Sequence, residues 1–190
     1  MTDPAPAPVL RRGRLLLRPT TLADVPALAA ILAEPEVGRW WVGYDAARVR
    51  TDLVDDDDVI TWTIEVGARG PGMPGSAPAG SMVVGAIQAS EESEPDYRHA
   101  GIDLFLSAAV QGQGVGPAAI RLVAAWLIDV RGHHRLTIDP AADNAAAIRA
   151  YGKVGFAPVG TMRRYERGAD GTWHDGLLME LLADELVRDE

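Results

Sequence analysis

The chain has 190 residues, 47% hydrophobic and 24% charged, with a formal net charge of −9, a composition that suits a globular domain able to bury a core unaided. It has no cysteine, which excludes a disulfide framework, a thiolate metal site and a cysteine nucleophile. The four histidines, His99, His133, His134 and His174, show no HExxH-type spacing, so no metal is expected.

No stretch approaches the roughly 18 apolar residues that span a bilayer, so no membrane partner is expected. The acidic balance argues against nucleic acid and favours a small cationic partner. Residues 1–12 begin with a Pro/Ala-rich segment lacking a charged region before an apolar one. They read as a disordered lead-in rather than a secretory signal, which places the protein in the cytoplasm. A single domain over 13–186 is expected, as monomer or homodimer.

Residues 15–18 read as the first strand. Thr21 and Asp24 form a capping-box pair ahead of Leu22, Val25, Leu28, Ala29, Ile31 and Leu32 at helical spacing; Pro26 is tolerated in the first turns and Pro35 stops the helix. Gly38, Arg39, Trp40 and Trp41 fall in a loop. Asp45 caps a second helix reaching about Val54, and Asp55 to Asp58 form a solvated acidic turn. Residues 59–66 alternate as a strand, 67–80 form a Gly/Pro-rich hairpin loop, and 81–90 form the next strand. An acidic loop over 91–96 leads to an apolar run at 100–109, a central strand carrying one carboxylate, Asp103. A glycine-rich turn follows at 111–116, then a helix over 117–130, a strand over 135–139 and a helix over 144–153. Two strands, 157–167 and 173–182, close the chain around a turn at 168–172. The order predicts a mixed α/β (α+β) fold around one sheet.

The glycine turn Gln111-Gly112-Gln113-Gly114-Val115-Gly116 sits between strand and helix. A helix start carries free N–H groups and partial positive charge, and glycines let an anion come close, so the segment is a candidate phosphate cradle. It lacks the Lys-Ser/Thr of a Walker loop, and no second βαβ unit supports a Rossmann reading.

A second motif about 30 residues on, Asn144-Ala145-Ala146-Ala147-Ile148-Arg149-Ala150-Tyr151-Gly152-Lys153-Val154-Gly155-Phe156, resembles a signature of the GNAT superfamily. Gln111-x-x-Gly114-x-Gly116 resembles that superfamily's other motif, in the right order and at the right separation. The resemblance implies a GNAT fold: a central, mostly antiparallel twisted sheet with a splayed central strand pair and helices on both faces. It implies acetyl-CoA as co-substrate. Gln111, Gly112, Gln113, Gly114, Val115, Gly116 and Pro117 would hold the pyrophosphate. Leu104, Phe105 and Leu106 would pair with the pantetheine arm, with Asn144 and Ala147 beside it. Tyr151 would protonate the leaving thiolate, or else is a core aromatic; Phe156 is assigned to packing.

Asp103 stands in an apolar strand, where an unpaired carboxylate is costly, so it demands a cationic ligand, an arginine or a water-filled cleft. Asp139 ends the neighbouring strand and either faces the same cleft or caps the turn through Pro140. Arg39-Trp40-Trp41, Gly101-Ile102-Asp103 and Asp139-Pro140 together resemble aminoglycoside 6'-N-acetyltransferases. That resemblance makes Asp103 the base at the accepting amine, Asp139 a contact for other amines of the drug, and Trp40 and Trp41 the acceptor wall, unless the tryptophans are core residues. The 67–80 loop is longer than that family leads one to expect. The final hairpin, with His174, also resembles acetyltransferases of protein N-termini and of siderophore hydroxylysine. A third reading is a non-catalytic acyl-CoA-binding module on the same fold.

Overall fold

The computed structural model describes residues 7–67 and 80–188. Strands β1 (Leu10–Arg12) and β2 (Leu15–Pro19) precede helices α1 (Val25–Leu32), α2 (Pro35–Gly38) and α3 (Ala46–Leu53). Strands β3 (Val59–Val66), β4 (Met82–Glu92) and β5 (His99–Leu106) lead to α4 (Val115–Asp129), β6 (Arg135–Ile138), α5 (Ala145–Gly152), β7 (Ala157–Arg167) and β8 (Trp173–Leu182). They form one eight-stranded sheet in the order β1-β2-β3-β4-β5-β6-β8-β7. Every neighbouring pair is antiparallel except β5 and β6. That parallel pair is joined only at Ala100–Leu136 and Gly101–Thr137. Beyond those residues the strands part, which is the expected splay.

The period-2 geometry of a strand decides what each face carries. On β5, Ala100 and Ile102 enter the larger core with Leu104 and Leu106 packed at its edge, whereas Phe105 enters a second cluster on the opposite face. Helix α4 fills the first face with Ala119, Ile120, Val123, Ala124 and Leu127, a stripe at helical spacing. Trp62 of β3 meets Trp126 of α4 edge to face at 5.4 Å. Helices α1 and α3 cover the other face through Leu28, Leu32, Val49 and Leu53. Arg18 of β2 ties β3 to the turn ahead of α1, gripping Glu65 at 2.7 Å and Asp24 at 2.6 Å.

Several boundaries depart from the sequence-based expectation. Leu10–Arg12, assigned to the disordered lead-in, pairs with β2; residues 1–6 lie outside the described residues. Pro35 does not simply stop a helix. It occupies the first turn of α2, where its missing N–H costs nothing, so Gly38 is helical rather than looped. Glu91 and Glu92 belong to β4, and Glu91 is held by Arg131 at 2.7 Å. The strand expected to reach residue 109 ends at Leu106, and Ala108–Val110 form a 3-10 turn. The long loop expected at 67–80 lies, apart from its two ends, outside the described residues. No helix among the described residues is long and apolar enough to cross a membrane.

Candidate active site

A cleft of about 1060 Å³ opens where β5 and β6 part. Asp103, Leu104, Phe105 and Leu106 line one side, the glycine turn and Asn144, Ala147 and Tyr151 another, and Trp40, Trp41 and Asp139 a third. Of the residues proposed from sequence, only Gln113 and Val115 do not line it. Gln113 donates its side chain to Ala109 O at 2.8 Å, and Val115 packs against the main core.

Gly112 and Gly114 have φ of +73° and +80°, with nothing within 4 Å of where a Cβ would stand. Both therefore present bare backbone to open space at the start of a helix of 15 residues, which fits a diphosphate. The turn is held from behind, because Gln111 Nε2 donates to Leu106 O at 2.9 Å. Pro117 lines the cleft but has no N–H to offer. Asn144 caps α5, its Oδ1 accepting from Ala147 N at 3.1 Å, and its amide nitrogen has no protein partner among the described residues.

Asp103 shares its face of β5 with Phe105, and unlike that buried ring it is open to the cleft. Among the described residues no cation pairs with it; its Oδ1 accepts only from Leu104 N, at 2.8 Å. The carboxyl is pushed up to about 7, first by loss of hydration on the cleft floor and then by the negative charge of Asp139. The expected alternative of a structural arginine pair is thus not what the site contains. Tyr151 is buried with its ring 6.5 Å from Phe156, yet its hydroxyl retains access to the cleft and no protein partner. Burial and the charges of Asp103 and Asp139 raise this phenol above its ordinary value. Trp41 is both wall and packing residue, stacked edge-on between Tyr44 at 5.3 Å and Phe105 at 5.0 Å. Arg39 lies 4.4 Å over the Trp40 ring, and Arg48 lies 4.1 Å over Tyr44 while donating to Val42 O at 3.0 Å.

Sequence reasoning missed Tyr44, Tyr165 and Glu166, all of which line the cleft. The register of β7 slips between Met162 and Glu166, where Arg164 takes φ +53° and donates its N–H to Asp175 Oδ1 at 2.8 Å. Opposite this bulge stands Gly176; a Cβ there would meet the Tyr165 ring at 2.8 Å. The missing side chain lets Tyr165 lie across the hairpin on the cleft it shares with Asp139, whose carboxylate, together with burial, pushes the phenol up to about 12. Burial likewise raises Glu166. Asp139 lines the same cleft beside them. His174 lies outside the cleft, exposed and paired with Asp170 at 3.0 Å. Among the described residues no group of His, Asp and Glu is arranged to hold a metal ion.

Residues 14–157 match the family described as Acetyltransferase (GNAT) domain. Two proteins named Aminoglycoside N(6')-acetyltransferase type 1, from Klebsiella pneumoniae and Serratia marcescens, are each 28% identical over 158 residues, 77% of this chain and 75% of theirs. The fold is shared with the ribosomal-protein-S5-alanine acetyltransferase of Vibrio fischeri, at a TM-score of 0.75 and 13% identity over 94% of this chain and 98% of that one. It is shared too with Mycobacterium smegmatis RimJ in complex with CoA-disulfide, at a TM-score of 0.73 and 22% identity over 97% and 90%. The family match takes in the glycine turn, both aspartates and Tyr151, and the chain belongs to the GNAT acetyltransferase family.

Proposed function

We propose that the protein transfers the acetyl group of acetyl-CoA to the 6'-amine of an aminoglycoside by direct attack in a ternary complex. The observation that carries this reading is the pair of carboxylates, Asp103 on β5 and Asp139 just past the end of β6, which line one cleft with no cation paired to Asp103 among the described residues. A polycationic sugar complements such a wall, and Glu166 adds a third carboxylate to it. The relatives from Klebsiella and Serratia carry the same activity in their names. Asp103 takes the proton from the amine as the new N–C bond forms, and Tyr151 gives its proton to the sulfur as the C–S bond breaks. The glycine turn holds the diphosphate of CoA, and Trp40 and Trp41 wall the acceptor.

Thiol release with acetyl-CoA tests the acceptor, using kanamycin, a 6'-hydroxy aminoglycoside, a hydroxylated lysine and a short peptide. Release with kanamycin and none with the 6'-hydroxy compound is expected. Release only with the lysine or the peptide would replace the acceptor and keep the chemistry; CoA binding without release in any case would favour a non-catalytic module.

Gly114→Val tests the cradle. Valine at positive φ costs roughly 1–2 kcal/mol of backbone strain, so a lower Tm is expected. Its side chain would also fill the open space before the turn, so CoA affinity should drop at least about tenfold at a temperature where the variant is folded, by calorimetry. Unchanged affinity would place the diphosphate elsewhere.

A further inference from the structure

Glu34 stands at the joint between the two halves of the cleft. Its N–H donates to Ile31 O at 3.0 Å as α1 ends, and its carbonyl accepts from Val37 N and Gly38 N at 2.9 and 2.8 Å as α2 begins. Helix α2 leads directly into the acceptor wall, because Trp40 N and Trp41 N both donate to Val37 O. It is seated tightly on α1: a Cβ on Gly38 would meet Leu32 O at 2.8 Å. The wall therefore moves with Glu34.

The Glu34 side chain reaches the other half. Its Oε1 accepts from Ser107 Oγ at 2.8 Å and its Oε2 from Ala108 N at 2.7 Å. These residues open the 3-10 turn that leads from β5 to the glycine turn. Among the described residues no other hydrogen bond joins the segment from α1 to α3 with the connection between β5 and α4. Both bonds end on a carboxylate, the stronger class of hydrogen bond. The glycine turn, in contrast, keeps its own shape through Gln111 and Leu106.

We infer that Glu34 is a positioning residue for acetyl transfer, fixing the tryptophan wall against the glycine turn so that amine and thioester meet at reacting distance. A misplacement of about 1 Å costs up to about 10²-fold in rate, whereas CoA binding depends on the cradle's own bonds. The inference rests on GNAT chemistry and not on the identity of the acceptor.

The test compares Glu34→Ala, Glu34→Gln, Ser107→Ala and the double variant Glu34→Ala/Ser107→Ala, each at a temperature where it is folded by circular dichroism. The acceptor is the amine with the fastest wild-type turnover in the thiol-release assay. Glu34→Ala is expected to lower kcat at saturation in both substrates about tenfold or more, with the Kd for CoA held within about twofold. Glu34→Gln is expected to recover most of kcat, because its amide oxygen accepts from Ala108 N while its nitrogen donates to Ser107 Oγ. The double variant should be no slower than Glu34→Ala, since the two side chains act as one unit. Unchanged kcat in Glu34→Ala, a loss of CoA affinity with kcat preserved, or independent multiplying losses in the double variant would each overturn the inference.

Discussion

Asparagine in place of Asp103 is expected to lower turnover roughly 10³-fold while acetyl-CoA binds as before. The substitution is close to isosteric, and its amide oxygen can still accept from Leu104 N, which Asp103 Oδ1 does at 2.8 Å. Geometry is kept and basicity is lost. The wild-type pH profile gives a second reading of the same group. With its carboxyl pushed up to about 7, Asp103 is largely protonated at pH 6 and largely ionised at pH 8, so kcat/KM should climb with pH to half its plateau near 7. That limb should vanish in the asparagine variant. Stability should move the opposite way. A folded-state pKa above the ordinary 3.8 means that the folded protein holds this proton more tightly than the unfolded chain. The stabilisation is complete below about pH 4, declines as pH rises, and is gone above the folded value. Asparagine is never charged, so Asp103→Asn should melt higher than wild type at pH 8 and by a smaller margin at pH 4. Wild-type turnover together with an unchanged Tm at pH 8 would remove Asp103 from the reaction.

Tyr151→Phe should slow transfer roughly 10²-fold with little change in Tm or CoA affinity. Its hydroxyl makes no protein hydrogen bond among the described residues, so phenylalanine leaves no buried group unpaired, and the contact with Phe156 survives. Burial, reinforced by Asp103 and Asp139, keeps the phenol protonated through neutral pH. The residue is thereby suited to giving a proton and unsuited to taking one. An acetyl thioester with a more acidic leaving thiol needs that proton less, so the deficit of the variant should shrink with it. A deficit that stayed constant across thiols, or no deficit, would make Tyr151 a packing residue.

β3 was legible because Ile60 to Val66 alternate apolar and polar residues, and β7 and β8 because the turn residues 168–172 divide them. β1 was not: Leu-Arg-Arg has no pattern to read, and only pairing with Leu15, Leu16 and Leu17 makes it a strand. The glycine turn and Asp139 were legible because they sit at a helix start and just past a strand end, whose chemistry is local, and Asp103 because a single carboxylate stands out within an apolar strand. Tyr165 and Glu166 were hidden because their placement depends on a bulge that Asp175 and Gly176 create from across the hairpin. Glu34 was hidden more deeply, since its partner Ser107 lies 73 residues away. Local propensity cannot report a contact of that span.

The parting of β5 and β6 also bears on how such a site can diversify. The sheet halves share two residue pairs. Asp103 and the glycine turn belong to the half anchored by α4, whereas Tyr165 and Glu166 ride on β7, a strand exposed along nearly its whole length at the sheet edge. Substitutions on that edge strand displace few core atoms and sit at little thermodynamic cost. In the function proposed above, the part of the acceptor wall carried by β7 is free to vary at little cost to the core, whereas β5, which carries Asp103, stays under packing constraint.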